Sequence, residues 1–275
     1  MKALCRIFRY KTFMVGLLMV LSVLFVAAFA KALSPYAYDE LNLADRLQPP
    51  SAAHLFGTDN MGRDIFSRVL QGSRLALSVA FVAMAIQCAI GVGLGLVAGY
   101  YGKTVEKVIS FVTYLVLSLP ALVVIIALIT LLGPSLTNAI IAISLVAWAG
   151  MTRLVTVKTM AVRNLPYVEA AKAFGESDAS IIFRYILPNI SPIIIILMFM
   201  AMPASLLLAS SVSFMGIGAQ IPEPEWGAMV SDGMNSIVTH PWISLYPGAV
   251  LSYTIIGFNL LGEGLRDVLD PTLRV

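Results

Sequence analysis

Few residues in this chain have types and spacing that could do chemistry, and most of those sit where the chemistry has no support. Gly93, Gly95 and Ala98 have the spacing of a dinucleotide-binding fingerprint. That fingerprint works only between a strand and a helix of a βαβ unit, and here it lies inside an apolar run. Gly102, Lys103 and Thr104 copy the end of a phosphate-binding loop, but Val97 stands where the loop's first glycine must be. No nucleotide or other cofactor is therefore assigned to the chain itself. His54 and His240 lack a second ligand at i+3 or i+4, so no metal ligand is assigned either. Met198, Met200, Met202 and Met215 lie near Pro203, where adaptable packing is preferred over soft metal ligation. Ser118 and Ser144 have no base nearby in sequence, and no catalytic residue is assigned. Asp59, Arg63 and Asp64 form a charged cluster, preferred as a salt-bridged turn over a contact with substrate.

The elements that carry these residues belong in lipid. Of 275 residues 59% are hydrophobic and 12% charged, too little polar surface to coat a globule in water. The net charge of +3 is scattered, without a basic run that would mark a nucleic-acid partner. The two cysteines, Cys5 and Cys88, give no disulfide framework. A spanning helix needs roughly 20 apolar residues for a hydrocarbon layer about 30 Å thick. Six stretches qualify: 13–32, 75–100, 108–132, 136–151, 190–214 and 246–261. The expectation is an all-α membrane protein with about six transmembrane helices. The first stretch has a rival reading as a secretory signal, and its length favours an uncleaved anchor. Gly91, Gly95 and Gly99 are four apart and predict close helix packing. Pro120 and Pro203 fall inside the third and fifth stretches and are candidate bend and pore positions.

Loop charges orient the spans, because Lys and Arg are retained on the cytoplasmic side. With the N-terminus inside, thirteen basic residues lie inside and five outside. Both termini and the loop 152–189 are then cytoplasmic, while 32–74 and 216–246 face the other side. The chain divides into 1–74, comprising the N-terminal tail, first span and outer loop, and a core at 75–275 with five spans. The centres of the spans carry essentially no ionisable residue, which argues against a secondary transporter or channel coupled through a buried carboxylate.

The cytoplasmic loop is the informative segment. Residues 167–174 predict a short helix ended by Gly175 as a left-handed cap. Ser177 or Asp178 can cap a second helix at 179–186, closed by Pro188 and Asn189 before the fifth span. Ala170 and Ala171 offer a low-profile surface on which another protein can pack.

Glu169, Ala170, Ala171 and Gly175, followed by Ile186, Leu187 and Pro188, resemble the signature of membrane subunits of binding-protein-dependent ABC importers. Tyr185 stands where many such subunits carry His. The resemblance extends to Gly57, Thr58, Asp59, Gly62, Arg63, Asp64, Ser67, Arg68 and Gly72, to 213–218 with Pro222, Glu225, Trp226 and Gly227, and to Asn259, Leu260, Gly262, Leu265, Arg266, Asp267, Asp270 and Pro271. These look like the peptide/nickel branch of that family. The resemblance implies a type I importer permease architecture, a non-catalytic subunit of a bacterial or archaeal cytoplasmic membrane. Glu169, Ala170, Ala171, Lys172 and Gly175 would form a coupling helix that docks on an ATPase. Implied partners are a second homologous permease, two ATPase subunits that hold ATP and magnesium, and an extracytoplasmic binding protein. The cargo implied is dipeptides or oligopeptides, with glutathione, opines or a nickel chelate as alternatives.

Overall fold

A computed structural model describes residues 10–269, so Lys2, Cys5, Arg6, Arg9, Asp270, Pro271 and Arg274 lie outside the described residues. The fold is helical. In chain order the helices are α1 (Lys11–Leu33), α2 (Ile65–Tyr101), α3 (Lys103–Ser118), α4 (Ala121–Leu132) and α5 (Leu136–Arg163), then α6 (Pro166–Ala173), α7 (Asp178–Phe214), α8 (Trp226–Met234) and α9 (Trp242–Leu269). Five of them are long and apolar enough to cross a membrane, and the α3–α4 pair makes a sixth if counted as one broken span.

That pair corrects one expectation. The stretch 108–132 is two helices meeting at 90°. Proline has no N–H to donate and disfavours helical geometry in the residue before it. Leu119 accordingly turns extended, at φ −93° and ψ 142°, and Pro120 becomes the N-cap of α4. Pro120 thus sits at the expected bend, which takes the form of a right-angled break between two helices. Pro203 lies buried inside the continuous α7.

Other boundaries shift for related reasons. Helix α5 does not end at Met151 but runs on to Arg163, because Arg153 sits on an exposed face with its guanidinium 5.8 Å from the Tyr114 ring. Pro247 lies within the first turns of α9 instead of preceding it. The outer segment 216–246 is no plain loop, since it contains α8. The separate helix at 179–186 does not exist: Asp178–Phe214 is one helix of 37 residues, with a π segment at Ile181–Ile186 and Pro188 tolerated beyond it. The π segment makes i→i+5 bonds, a wider turn that usually marks a functional position.

Packing follows the small residues. An added Cβ on Gly91, Gly95 or Gly99 would lie 2.8, 2.6 or 2.5 Å from the Cβ of Met151, Val155 or Thr159 respectively. Three glycines four apart therefore face three α5 residues four apart, and the two helix backbones meet along that seam. Helix α1 joins the bundle through Phe13, Val20, Val23 and Ala27, which share a buried cluster with Phe258 and Leu261 of α9 and Leu77 and Ala80 of α2.

Candidate functional site

Two regions outside the spans carry the residues singled out from the sequence. On one side, the segment between α1 and α2 folds back on itself. Thr58 N–H donates to the Gln48 carbonyl (3.0 Å) and Leu47 N–H to that of Asp59 (3.1 Å). Asp59 is the hub. Its Oδ1 accepts from the Met61 and Arg63 amides (2.8 and 3.0 Å), and its Oδ2 accepts from Arg63 Nε at 2.6 Å. Asp64 caps α2, accepting from Ser67 N–H at 2.7 Å, and its other oxygen lies 2.9 Å from His54 Nδ1. Arg63 reaches Asp232 of α8 at 3.5 Å, and Arg68 donates to the Tyr38 carbonyl at 2.9 Å. Trp226, also of α8, donates its indole N–H to Val69 O at 3.1 Å. Asp59, Arg63 and Asp64 are all buried; Arg63 pairs with Asp59 and reaches Asp232, Asp64 lies against His54, and Arg63 Nη1 has no hydrogen-bond partner among the described residues. The arrangement is an ion-paired knot that ties the outer segment to α2 and α8. Burial raises the Asp232 carboxyl above its ordinary range, with Arg63 and Arg68 pulling it back.

On the opposite side the end of α5, helix α6 and the start of α7 form a second unit. Pro166 starts α6 at its first position, where a missing N–H costs nothing. Gly175 ends it at φ +81°, the left-handed cap geometry, with the Glu176 N–H donating back to Ala171 O at 3.2 Å. Val168 and Ala171, three apart, point inward and pack with Ile181, Ile182 and Ile186 of α7 and Val155 of α5. Ala171 is thus part of the protein's own core and not of a docking surface, as its spacing from Val168 requires. The outward face carries Tyr167, Glu169, Ala170, Lys172 and above all Phe174, which is 88% exposed.

Side-chain bonds to α2 and within the link hold this unit in place. Arg163 donates to the Tyr100 carbonyl at 2.7 Å, closing the C-terminus of α2. Tyr100 hydroxyl donates to Asp178 at 2.6 Å, linking α2 to the first turn of α7. Glu176 accepts from Ser180 Oγ (2.5 Å) and from the Tyr185 hydroxyl (2.7 Å), and these bonds hold its carboxyl below the usual range. The Arg163–Tyr100 and Tyr100–Asp178 pairings join residues far apart in the chain, so spacing could not reveal them. A cleft of about 360 Å³ lies beneath α6, lined by Tyr100, Lys103, Arg163, Glu169, Lys172 and Asp178 among others. Gly102 and Lys103, with φ +63° and +48°, form the elbow between α2 and α3 and not a phosphate cradle.

Within the bundle, Gln87 donates to Ser205 Oγ at 2.8 Å, one polar tie between α2 and α7 beside Pro203. Among the described residues no group of three or more His, Cys, Asp or Glu side chains is placed to hold a metal ion.

Comparison with known proteins fits this geometry. Residues 91–275, which include α6 and the π segment, match the family described as binding-protein-dependent transport system inner membrane component. Residues 2–50 match the N-terminal TM domain of oligopeptide transport permease C. A dipeptide transport system permease protein of Alkalihalophilus pseudofirmus is 43% identical over 96% of this chain and 87% of its own length. A probable D,D-dipeptide transport system permease of Escherichia coli is 42% identical over 90% of this chain and 83% of its own length. A glutathione transport system permease of Pectobacterium atrosepticum is 37% identical over 94% and 86% respectively. With an outward-facing short helix on a bundle of spans, and with matches across nearly its whole length, the chain belongs to the family of binding-protein-dependent transport system inner membrane components.

Proposed function

We propose that this chain is one of two permease subunits of an ATP-driven importer that brings dipeptides or oligopeptides across a bacterial or archaeal cytoplasmic membrane. The observation that carries the proposal is helix α6, whose inner face is built into the protein's own core while its outer face presents Phe174 bare to solvent. An exposed aromatic beside a fixed helix is what a partner would grip. That partner is an ATPase subunit, one of two, and it holds the ATP and magnesium and performs hydrolysis. This chain is non-catalytic and binds no cofactor. A second homologous permease completes the pore, and an extracytoplasmic binding protein delivers cargo to the side bearing the ion-paired knot. Both termini face the cytoplasm in this reading, which the thirteen-to-five distribution of basic residues supports.

Energy enters through α6, built from Glu169, Ala170, Ala171 and Lys172 and ended by Gly175. Nucleotide binding in the ATPase pair would favour one pore conformation over the other, since a ligand with equal affinity for both would shift nothing. Movement of α6 then reaches the bundle through α5 and α7, with Pro120 and Pro203 as candidate bend or pore positions. Peptide cargo is favoured over a nickel chelate because the relatives carry dipeptide, oligopeptide and glutathione names. The test is purification through a tag on this chain in mild detergent, followed by peptide uptake in a strain lacking it. Co-recovery of a second permease and ATPase subunits, with uptake restored by the tagged chain, supports the reading. Recovery of this chain alone together with unimpaired uptake in the deletion strain contradicts it.

A further inference from the structure

A push on α6 reaches span α7 only if the segment between them does not absorb it. Two compliant pieces lie in series there. Phe174, Gly175, Glu176 and Ser177 link the helices, and beyond its own chain neighbours nothing among the described residues lies within 4 Å of where a Gly175 Cβ would stand, so packing does not restrain the link at that point. Then comes the π segment Ile181–Ile186, which differs from an α turn by one residue of register and can give by sliding from one to the other. One side chain spans both pieces. Glu176, in the middle of the link, accepts from Ser180 just before the π segment and from Tyr185 within it, at 2.5 and 2.7 Å. The Tyr185 ring is half-buried against the cluster that also holds Val168 and Ala171. The apolar packing resists separation of α6 from α7, but it is non-directional and does not fix the π register. The hydrogen bond is directional and does.

We propose that the Glu176–Tyr185 hydrogen bond is the brace that locks the link and the π segment together, making both residues positioning residues for coupling ATP hydrolysis to transport. The proposal rests on the reading of α6 as the docking helix. Neither residue touches ATP or cargo. Without the bond, the π segment changes register under load, and hydrolysis continues while the span lags.

The experiment is simultaneous measurement of ATP hydrolysis and peptide uptake by the complete complex in proteoliposomes. Tyr185→Phe keeps the ring and removes only the donor. It should leave ATPase recovery and hydrolysis intact and lower peptide transported per ATP by about two- to tenfold, the range for one lost hydrogen bond. Glu176→Ala should do the same, and Glu176→Gln, whose amide oxygen still accepts from Tyr185, should recover most of the loss. Tyr185→Phe should add nothing in the Glu176→Ala background, because the bond it removes is already absent there. An unchanged transport ratio in Tyr185→Phe, or an undiminished Tyr185→Phe effect in the Glu176→Ala background, overturns the proposal. Phe174→Asp separates it from its premise. If that variant loses the ATPase while Tyr185→Phe transports normally, only the brace falls. If Phe174→Asp binds the ATPase and transports normally, the docking reading falls and the brace with it.

Discussion

The ion-paired knot before α2 and the α6 unit at the opposite end of the bundle are built with different chemistry. The knot buries its charges: Arg63 is 1% exposed and Asp59 3%, and nearly every polar bond runs inward. The α6 unit packs mainly through the aliphatic side chains Val168, Ala171, Ile181 and Ile186, and leaves Glu169, Lys172 and Phe174 outside. A buried ion pair has one good geometry and loses heavily if either partner goes. It suits a segment that must keep its shape. An aliphatic seam tolerates small shifts, and an exposed aromatic is left for something else to cover. The difference teaches which end of the molecule is built to stay and which to be moved.

Four changes sharpen or break that contrast. Arg63→Ala strands the Asp59 carboxylate in the interior and should destabilise the protein by about 3–5 kcal/mol. Thermal unfolding in detergent would show this as the largest shift, and a stability equal to wild type would mean the knot is not structural. Ala171→Leu forces extra volume between α6 and α7 and should cost about 1–3 kcal/mol, read in the same assay. Since Ala171 is buried, any loss of transport in that variant should come with loss of stability. Phe174→Ala reverses the pattern. At 88% exposure it should change stability by less than about 0.5 kcal/mol and yet reduce ATPase recovery in a pull-down.

The smallest effect is in pH. Glu176 has its carboxyl pKa lowered from the ordinary 4.5 by bonds from Ser180 and Tyr185. Its contribution is therefore fully present above the ordinary value and lost as pH falls through the lowered one. Asp232 has its pKa raised, chiefly by burial, so its contribution runs the other way and is lost as pH rises through the raised value. Hydrogen exchange followed from pH 7 to below the ordinary carboxyl value of 4.5 should show the α6–α7 link loosening only at that acid end, with α8 not loosening in parallel. Identical pH profiles in the two regions would contradict the distinction between them.

Much of this was legible in the sequence, for identifiable reasons. Spans follow from apolar length, and the α2–α5 seam from three glycines four apart. The α6 helix and its Gly175 cap are local features with local signals. Where reasoning erred, a nonlocal or geometric fact decided. Pro120 signals a bend, and the extended Leu119 before it makes that bend a right-angled break between helices. Pro188 signals a helix stop, yet the helix runs through it beyond the π turn. Ala170 and Ala171 read alike as low-profile surface, and the contacts with α7 place Ala171 inward. Ser177 and Asp178 are legible as helix caps, but the Arg163–Tyr100, Tyr100–Asp178 and Glu176–Tyr185 bonds are not, because only the fold brings those pairs together.

The central claim is that the outward face of α6 lies against an ATPase subunit in the cytoplasm. A photo-crosslinking residue at position 174, introduced into the intact complex in native membranes, tests it most directly. The account predicts an adduct with the ATPase subunit whose yield changes between ATP-bound and nucleotide-free states. Absence of any ATPase adduct, combined with labelling of position 174 by a membrane-impermeant reagent applied from outside the cell, would contradict it.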